Sequence, residues 1–328
     1  MLRPRANEAS TVNVDQDRRG FFQHVAGMTA GLALTAATSQ DSQTVGAEPG
    51  TPAPSLPTVT LGPHQISRLI VGGNPIYGHS HFNWLYSRHL REYHTPERVV
   101  ELLRACQAAG INTWQNSYEE RTLDDIELVR RAGIGFHWLC LGKPDWASHP
   151  ERIERAASRR PIGIAPHGVL AERLHRQKKV PVLLDQLKRI RATGVLVGLS
   201  AHNPALIELA EDRDWDVDYY MCSQYYLTRP REEFREMLGE VPMGEVYLPS
   251  DADRMFEVIR AVRKPCLIYK VLAAGRANLS AAGIREAFQF TLSRIKSTDA
   301  MIVGMFQEFG DQVGMNARFV RELSVTRS

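Results

Sequence analysis

The sequence predicts an α/β protein folded as a single (β/α)8 TIM barrel. Three observations predict it. Eight strand-like apolar runs alternate strictly with eight helical patterns. The strand-like runs are apolar throughout instead of alternating, which marks a parallel sheet covered by helices on its faces. The eight units fill roughly 270 residues, the length of one eight-unit barrel. No second domain is read.

The first strand is read in ISRLIVGGN, residues 66–74. The helix after it, TPERVVELLRACQAAG, has its signals in order. Thr95 is the N-cap, Pro96 takes the first position, and Val99, Leu102, Leu103 and Cys106 form the apolar stripe. Gly110 stops it. Strands follow at INTWQNS, FHWLCLGK, PIGIAPH, VLVGLSAH, VDYYMCSQYY, CLIYKVLA and MIVGMF. The helices between and after them are TLDDIELVRRAG, HPERIERAASRR, VPVLLDQLKRIRATG, NPALIELAED, SDADRMFEVIRAV, SAAGIREAFQFTLSRI and DQVGMNARFVREL. The barrel is placed at residues 59–326.

Ahead of it, DRRGFFQHVAGMTAGLALTAATSQ carries Arg18 and Arg19, then Phe21, Phe22 and a weakly apolar run. Residues 1–47 resemble a twin-arginine export signal and its processing region. The run is too short and too soft for a stable membrane span. The resemblance implies the twin-arginine export machinery as a partner and a periplasmic or extracellular location. Residues 48–58 read as a Pro-rich linker. Composition agrees with a globular chain: 43% hydrophobic, 23% charged, net charge +3. That charge gives no reason to expect nucleic acid, and no aromatic-basic stripe suggests it. Cys106, Cys140, Cys222 and Cys266 form no CxxC pair and read as buried thiols, with a disulfide left open.

In such a barrel the active site lies at the carboxyl ends of the strands. That mouth should receive Asn74, Gln115, Asn116, Lys143, His167, Ser200, His202, Gln224, Tyr225 and Lys270. A single histidine there would read as a capping residue; two histidines and two lysines on separate strand ends point to function. The long loop NPIYGHSHFNWLYSRHLREYHTPER adds His79, His81, His89 and His94, with Tyr77, Trp84 and Tyr86. HxH on an extended chain puts both rings on one side. His81, or His79 in its place, with His167 and His202 could therefore hold one divalent metal ion such as Zn²⁺. The aromatic content suits a small-molecule substrate of carbohydrate type. A second long loop, LTRPREEFREMLGEVPMGEVYLPS, reads as a lid or a solvated flap.

Several segments, taken together in order, resemble the aldo-keto reductase superfamily. They are VTLGPHQISRLIVGGNPIYG, AAGINTWQNSY, RIRATGVLVGLSAHNP, DVDYYMCSQYYLTR, KPCLIYKVLAAGR and MIVGMFQEFGDQVGMN. The resemblance implies an N-terminal β-hairpin plug and hydride transfer between a nicotinamide, NAD(P), and a carbonyl. Lys143 and His167 stand at the family's Lys and His positions. Gln115 replaces its Asp and Glu120 its Tyr, so Tyr77, Tyr118 or Glu120 is the expected proton donor. Asn74, Tyr77, Gln115, Asn116 and His202 would contact substrate; amides orient and do not titrate near neutral pH. Ser200, Tyr225, Lys270, Gly304, Gln312 and Asn316 would hold the cofactor. Glu308 favours NAD over NADP, because a carboxylate repels a 2'-phosphate. Without the family's Asp, Lys143 tends to a lower pKa, unless it pairs with Glu119 or Glu120. Three functions follow: an oxidoreductase acting on a sugar-derived carbonyl or polyol; a metal-dependent or cofactor-free carbohydrate hydrolase, lyase or isomerase; or a non-catalytic sugar-binding protein.

Overall fold

Two short strands begin the fold. Thr58–Leu61 (β1) and His64–Ser67 (β2) pair antiparallel through a turn at Gly62, whose φ of 55° suits glycine. β2 runs almost directly into Leu69–Gly72 (β3), the first barrel strand. The computed structural model describes residues 55–277 and 280–325. All lie in the unit Ala53–Ser328. The expected export signal, and the linker as far as residue 54, fall outside the described residues.

The seven further barrel strands are Thr113–Ser117 (β4), His137–Leu141 (β5), Gly163–Ala165 (β6), Leu196–Ala201 (β7), Tyr219–Ser223 (β8), Cys266–Tyr269 (β9) and Ala300–Gly304 (β10). With β3 they form a closed barrel, β10 pairing with both β9 and β3, every neighbour parallel. The expected (β/α)8 barrel and its hairpin are both present.

Side chains alternate across each strand, and the apolar ones divide accordingly. Ile70, Leu139, Ala165, Tyr219, Met221, Leu267, Ala300 and Ile302 fill the lumen together with Val59, Leu61 and Ile66 of the hairpin. Leu69, Val71, Trp114, Trp138, Cys140, Ile164, Val197, Leu199, Tyr220 and Ile268 face the helices. The hairpin thus closes the amino-terminal end of the barrel with apolar side chains. Tyr219 needs particular room in the lumen. A Cβ at Gly198 would stand 2.4 Å from its ring, and one at Gly163 2.9 Å.

Outside the barrel, Pro96–Ala108 forms as read: Thr95 accepts from the Arg98 N–H, and Val99, Leu102, Leu103 and Cys106 are buried. Three helices appear beyond those read from the sequence: Trp84–Tyr93 and Arg231–Leu238 within the two segments read as long loops, and Gly168–Arg176, which the sequence reading left unassigned. The first buries only Leu90 and the second only Phe234, so neither carries a legible apolar stripe. All four cysteines are free and buried. Among the described residues no helix is long and apolar enough to cross a membrane.

The plug can be tested directly. Ile66 is fully buried in the lumen cluster, so Ile66→Ala should cost about 2–5 kcal/mol in denaturant unfolding. Val182→Ala, on an exposed side chain, should stay within about 0.5 kcal/mol.

Candidate active site at the barrel mouth

β4 shows how the pleat sorts the candidate residues. Trp114 and Tyr118 belong to the outer core, so Gln115, of opposite parity, faces the lumen. Asn116 faces outward. Its carbonyl accepts from the Trp138 indole N–H at 2.6 Å, and its amide nitrogen donates to the Tyr77 oxygen at 3.5 Å. Tyr77 in turn donates to Asp125 at 3.1 Å and stacks on Trp114. Tyr118 packs edge-on against Trp146, and burial raises its hydroxyl pKa. The expected substrate contacts of Asn116 and Tyr77, and proton donation by Tyr77 or Tyr118, are therefore corrected. These groups lie between barrel and helices. Glu120 is corrected too: it is exposed and pairs with Arg155 at 2.8 Å.

Its neighbour Glu119 reaches the mouth instead. It accepts from Lys143 Nζ at 2.6 Å and contacts His79 Nε2 at 3.1 Å. Lys143 thus has a carboxylate partner after all, which corrects the expectation of an unpartnered amine. Burial would raise the Glu119 pKa, but the bonds from His79 and Lys143 outweigh it and hold the carboxyl below its usual range.

The HxH motif separates instead of converging. His79 takes Glu119, while His81, at φ 54°, takes Glu245 at 2.7 Å. Glu245 also accepts from the Tyr247 hydroxyl at 2.8 Å. Despite burial, its carboxyl is held down to about 2, first by the His81 hydrogen bond and then by Lys270. His202 lies beside Glu172, Nδ1 to Oε1 3.5 Å. Among the described residues no group of three His, Cys, Asp or Glu side chains could hold a metal. The expected metal set of His81, His167 and His202 is corrected: carboxylates on separate elements draw the first and last apart.

His167 caps the helix Gly168–Arg176. Its Nδ1 accepts from the Val169 N–H at 3.2 Å, which leaves the ring proton on Nε2. Burial, then the fields of His202, Lys270 and Lys143, push its pKa down to about 3 against the pull of Glu172. Glu172 itself is a buried tie. It accepts from the backbone N–H of His202, from that of Asn203 at 2.8 Å, and from the Thr228 hydroxyl. It fastens the end of β7 to the lid-like loop after β8. Ser200 meets the Tyr269 hydroxyl at 3.3 Å, and Gln224 bridges Tyr225 and Thr291. The rings of Tyr225 and Tyr247 meet edge-on. Asn74 is half-buried at the end of the first barrel strand. Lys270 Nζ is shielded from solvent and has no hydrogen-bond partner among the described residues.

The segment after β10 does not fit a dinucleotide phosphate. A Cβ at Gly304 would strike Pro75 at 2.8 Å. Phe306 is buried among His89, Tyr93, His94 and Phe309. At the start of the helix Gln312–Val325, the N–H groups of Val313 and Gly314 are already taken by Gln307 at 3.1 Å and Asp311 at 2.8 Å. Gln312 accepts from the Phe306 N–H at 2.9 Å, and Asn316 is buried. Residues 304–312 contain no Lys or Arg. A helix start binds phosphate through free N–H groups and positive potential; here the first are already used and Asp311 opposes the second. The cofactor roles expected of Gly304, Gln312 and Asn316 are corrected, and Glu308 instead pairs with His89 at 2.7 Å.

No family model matches the chain, and no curated protein matches it. Among solved structures it is similar to a truncated 3-deoxy-D-arabino-heptulosonate 7-phosphate synthase from Thermotoga maritima, with 11% identity, 83% of this chain, 92% of that chain and a TM-score of 0.48. It is also similar to dihydropteroate synthase from Thermus thermophilus, with 12% identity, 83% of this chain, 100% of that chain and a TM-score of 0.45. Likeness this distant says nothing about chemistry.

Sequence reasoning overlooked Glu172 and Glu245. Glu172 had a signal, a carboxylate inside the apolar stripe of GVLAERLHR. Glu245 had none, being a loop acid among other loop charges.

The His167 environment predicts an acid effect. Its folded value of about 3 lies below the ordinary 6.5, so between the two the unfolded chain binds a proton that the folded chain does not. This contribution to stability is complete above about pH 6.5 and is lost as pH falls toward about 3. His167→Asn keeps a capping side chain and should flatten the acid limb of stability in denaturant titrations at stepped pH. An unchanged limb would show a solvated ring.

Proposed function

We propose that this protein is an enzyme acting on a small hydroxylated carbonyl compound of sugar type. Its chemistry is proton transfer at the barrel mouth without a nicotinamide, in the manner of a lyase or isomerase. One observation carries the reading. Lys143, held by Glu119, stands at the strand end next to that of a neutral His167 and its charge reaches that ring. His167 can donate its Nε2–H to a carbonyl oxygen, while Lys143 supplies positive charge for the oxyanion that forms when an adjacent C–H is lost. His79 joins Glu119 to solvent and gives the proton a route out. Phe82 and Trp84 stand 66% and 68% exposed on the segment after β3, faces on which a sugar ring can stack.

The motif likeness supports proposing descent from an aldo-keto-reductase-like barrel. It does not support retained hydride chemistry. Gln115 and Glu120 occupy the acid and tyrosine positions, and the phosphate end is filled.

The test is deuterium exchange next to the carbonyl of small ketoses and aldoses, followed by NMR in heavy water. His167→Asn and Lys143→Ala should each slow exchange by about 10²- to 10⁴-fold with little change in melting temperature. Added NAD or NADP should leave the rate unchanged. Exchange that requires a nicotinamide would restore the oxidoreductase reading, and wild-type exchange in both variants would move the site elsewhere.

We also propose export by the twin-arginine route, on the strength of Arg18, Arg19 and the apolar run after them. Replacing both by Lys should retain the chain in the cytoplasm on cell fractionation. An unaltered distribution would remove the proposal.

A further inference from the structure

Lys270 follows β9 directly, at the carboxyl end where the mouth lies. Its backbone is left-handed, φ 64°. Non-glycine residues adopt that conformation rarely. Its Nζ is shielded and has no hydrogen-bond partner among the described residues. Other half-buried lysines have polar partners. Lys143 is bound to Glu119, Lys264 donates to the Trp215 carbonyl, and Lys296 pairs with Asp299. Among the described residues, Lys270 is a sheltered amine with no hydrogen bond of its own.

We infer that Lys270 is a nucleophilic amine that forms an iminium with a small ketone or aldehyde bound in the mouth. This rests on the proposed carbonyl-acting site and deepens it. Lys143 is tied to a carboxylate, whereas Lys270 has none in contact among the described residues. Its surroundings favour the neutral amine. Burial lowers its pKa to about 8, with Glu245 pulling upward and Arg276 pushing further down. At pH 7 the neutral fraction is then about two orders of magnitude larger than for a solvated lysine. The charged groups that act on this amine are Glu245 in the lid and Arg276 on its own segment; its charge in turn reaches His81 on the loop after β3 and His167 at the end of β6.

The step balances without an oxidant or reductant. The neutral Nζ attacks the carbonyl carbon; the C–N bond forms as the carbon–oxygen π bond breaks. Overall the ammonium loses two protons, and both end on the departing oxygen, which leaves as water. The positive charge remains as the iminium. Glu245, ionised and within the field of Lys270, is placed to carry a proton between nitrogen and oxygen, and His167 Nε2–H can hold the oxygen before it leaves. The iminium then acidifies the neighbouring C–H, or withdraws electrons from a C–C bond, more strongly than the parent carbonyl does.

Dihydroxyacetone is the probe, added to the folded full chain with sodium cyanoborohydride, which reduces an iminium and spares the ketone. Peptide mass mapping should find one dominant reduced adduct, at Lys270. It should be absent in Lys270→Arg and retained in Lys143→Arg. Labelling should rise with a midpoint near pH 8, moving to lower pH in Glu245→Gln, because the carboxylate is the group that raises the amine's pKa. Adducts spread over surface lysines with no excess at Lys270 would overturn the inference. Saturation-transfer NMR on the same samples without reductant separates the two readings. Bound dihydroxyacetone with no adduct overturns the covalent role and leaves the proton-transfer enzyme standing; neither binding nor adduct overturns both. The mapping uses the native chain, so it does not depend on a variant folding.

Discussion

Closure of eight parallel strands into a barrel imposes one constraint on everything else: successive side chains must point alternately into the lumen and out to the helices. The lumen then has to be filled from below. Val59, Leu61 and Ile66 of the hairpin do this, and polar groups are left to the upper end alone. The same alternation separates neighbours of similar chemistry. Gln115 faces the lumen, while Asn116 is committed to Trp138 in the outer core. Ser200 reaches Tyr269, while Ala201 packs with the helices.

On this frame the mouth is organised by acids. Glu119, Glu172, Glu245 and Glu308 each lie beside a histidine, and each such contact joins two different segments. Three of the histidines, His79, His81 and His89, come from the single segment after β3. That segment is fastened to the end of β4, to the loop after β8 and to the end of β10. Individually such pairs contribute little where they meet solvent. Their effect here is positional: they cover the mouth and keep the imidazoles apart, so that among the described residues no three such side chains assemble a metal site.

The same segment accounts for the filled end of β10. Its helix brings His89 and Tyr93 onto Phe306, and its Pro75 lies against Gly304. The space in which the motif likeness would seat a phosphate is taken by the chain's own side chains. The chemistry proposed for the mouth depends on His167, on Lys143 paired with Glu119, and on Lys270, whose Nζ has no hydrogen-bond partner among the described residues.

The sequence by itself determined the barrel, the eight strand–helix units and the strand ends at which Lys143, His167, His202 and Lys270 emerge. Those follow from hydrophobic period and capping residues, which are local. It also exposed Glu119 as one of two possible partners for Lys143, but not the choice between them. Neighbours on an extended chain point opposite ways, and only the path into the helix at Glu120 decided which carboxylate faced the mouth. Tertiary structure alone decided that Tyr77, Asn116 and Tyr118 serve packing, that the HxH rings part, and that Glu245, distant in sequence, stands by His81 and acts on Lys270. Each of these depends on which surfaces meet when the barrel closes, and residue spacing along the chain carries no record of that.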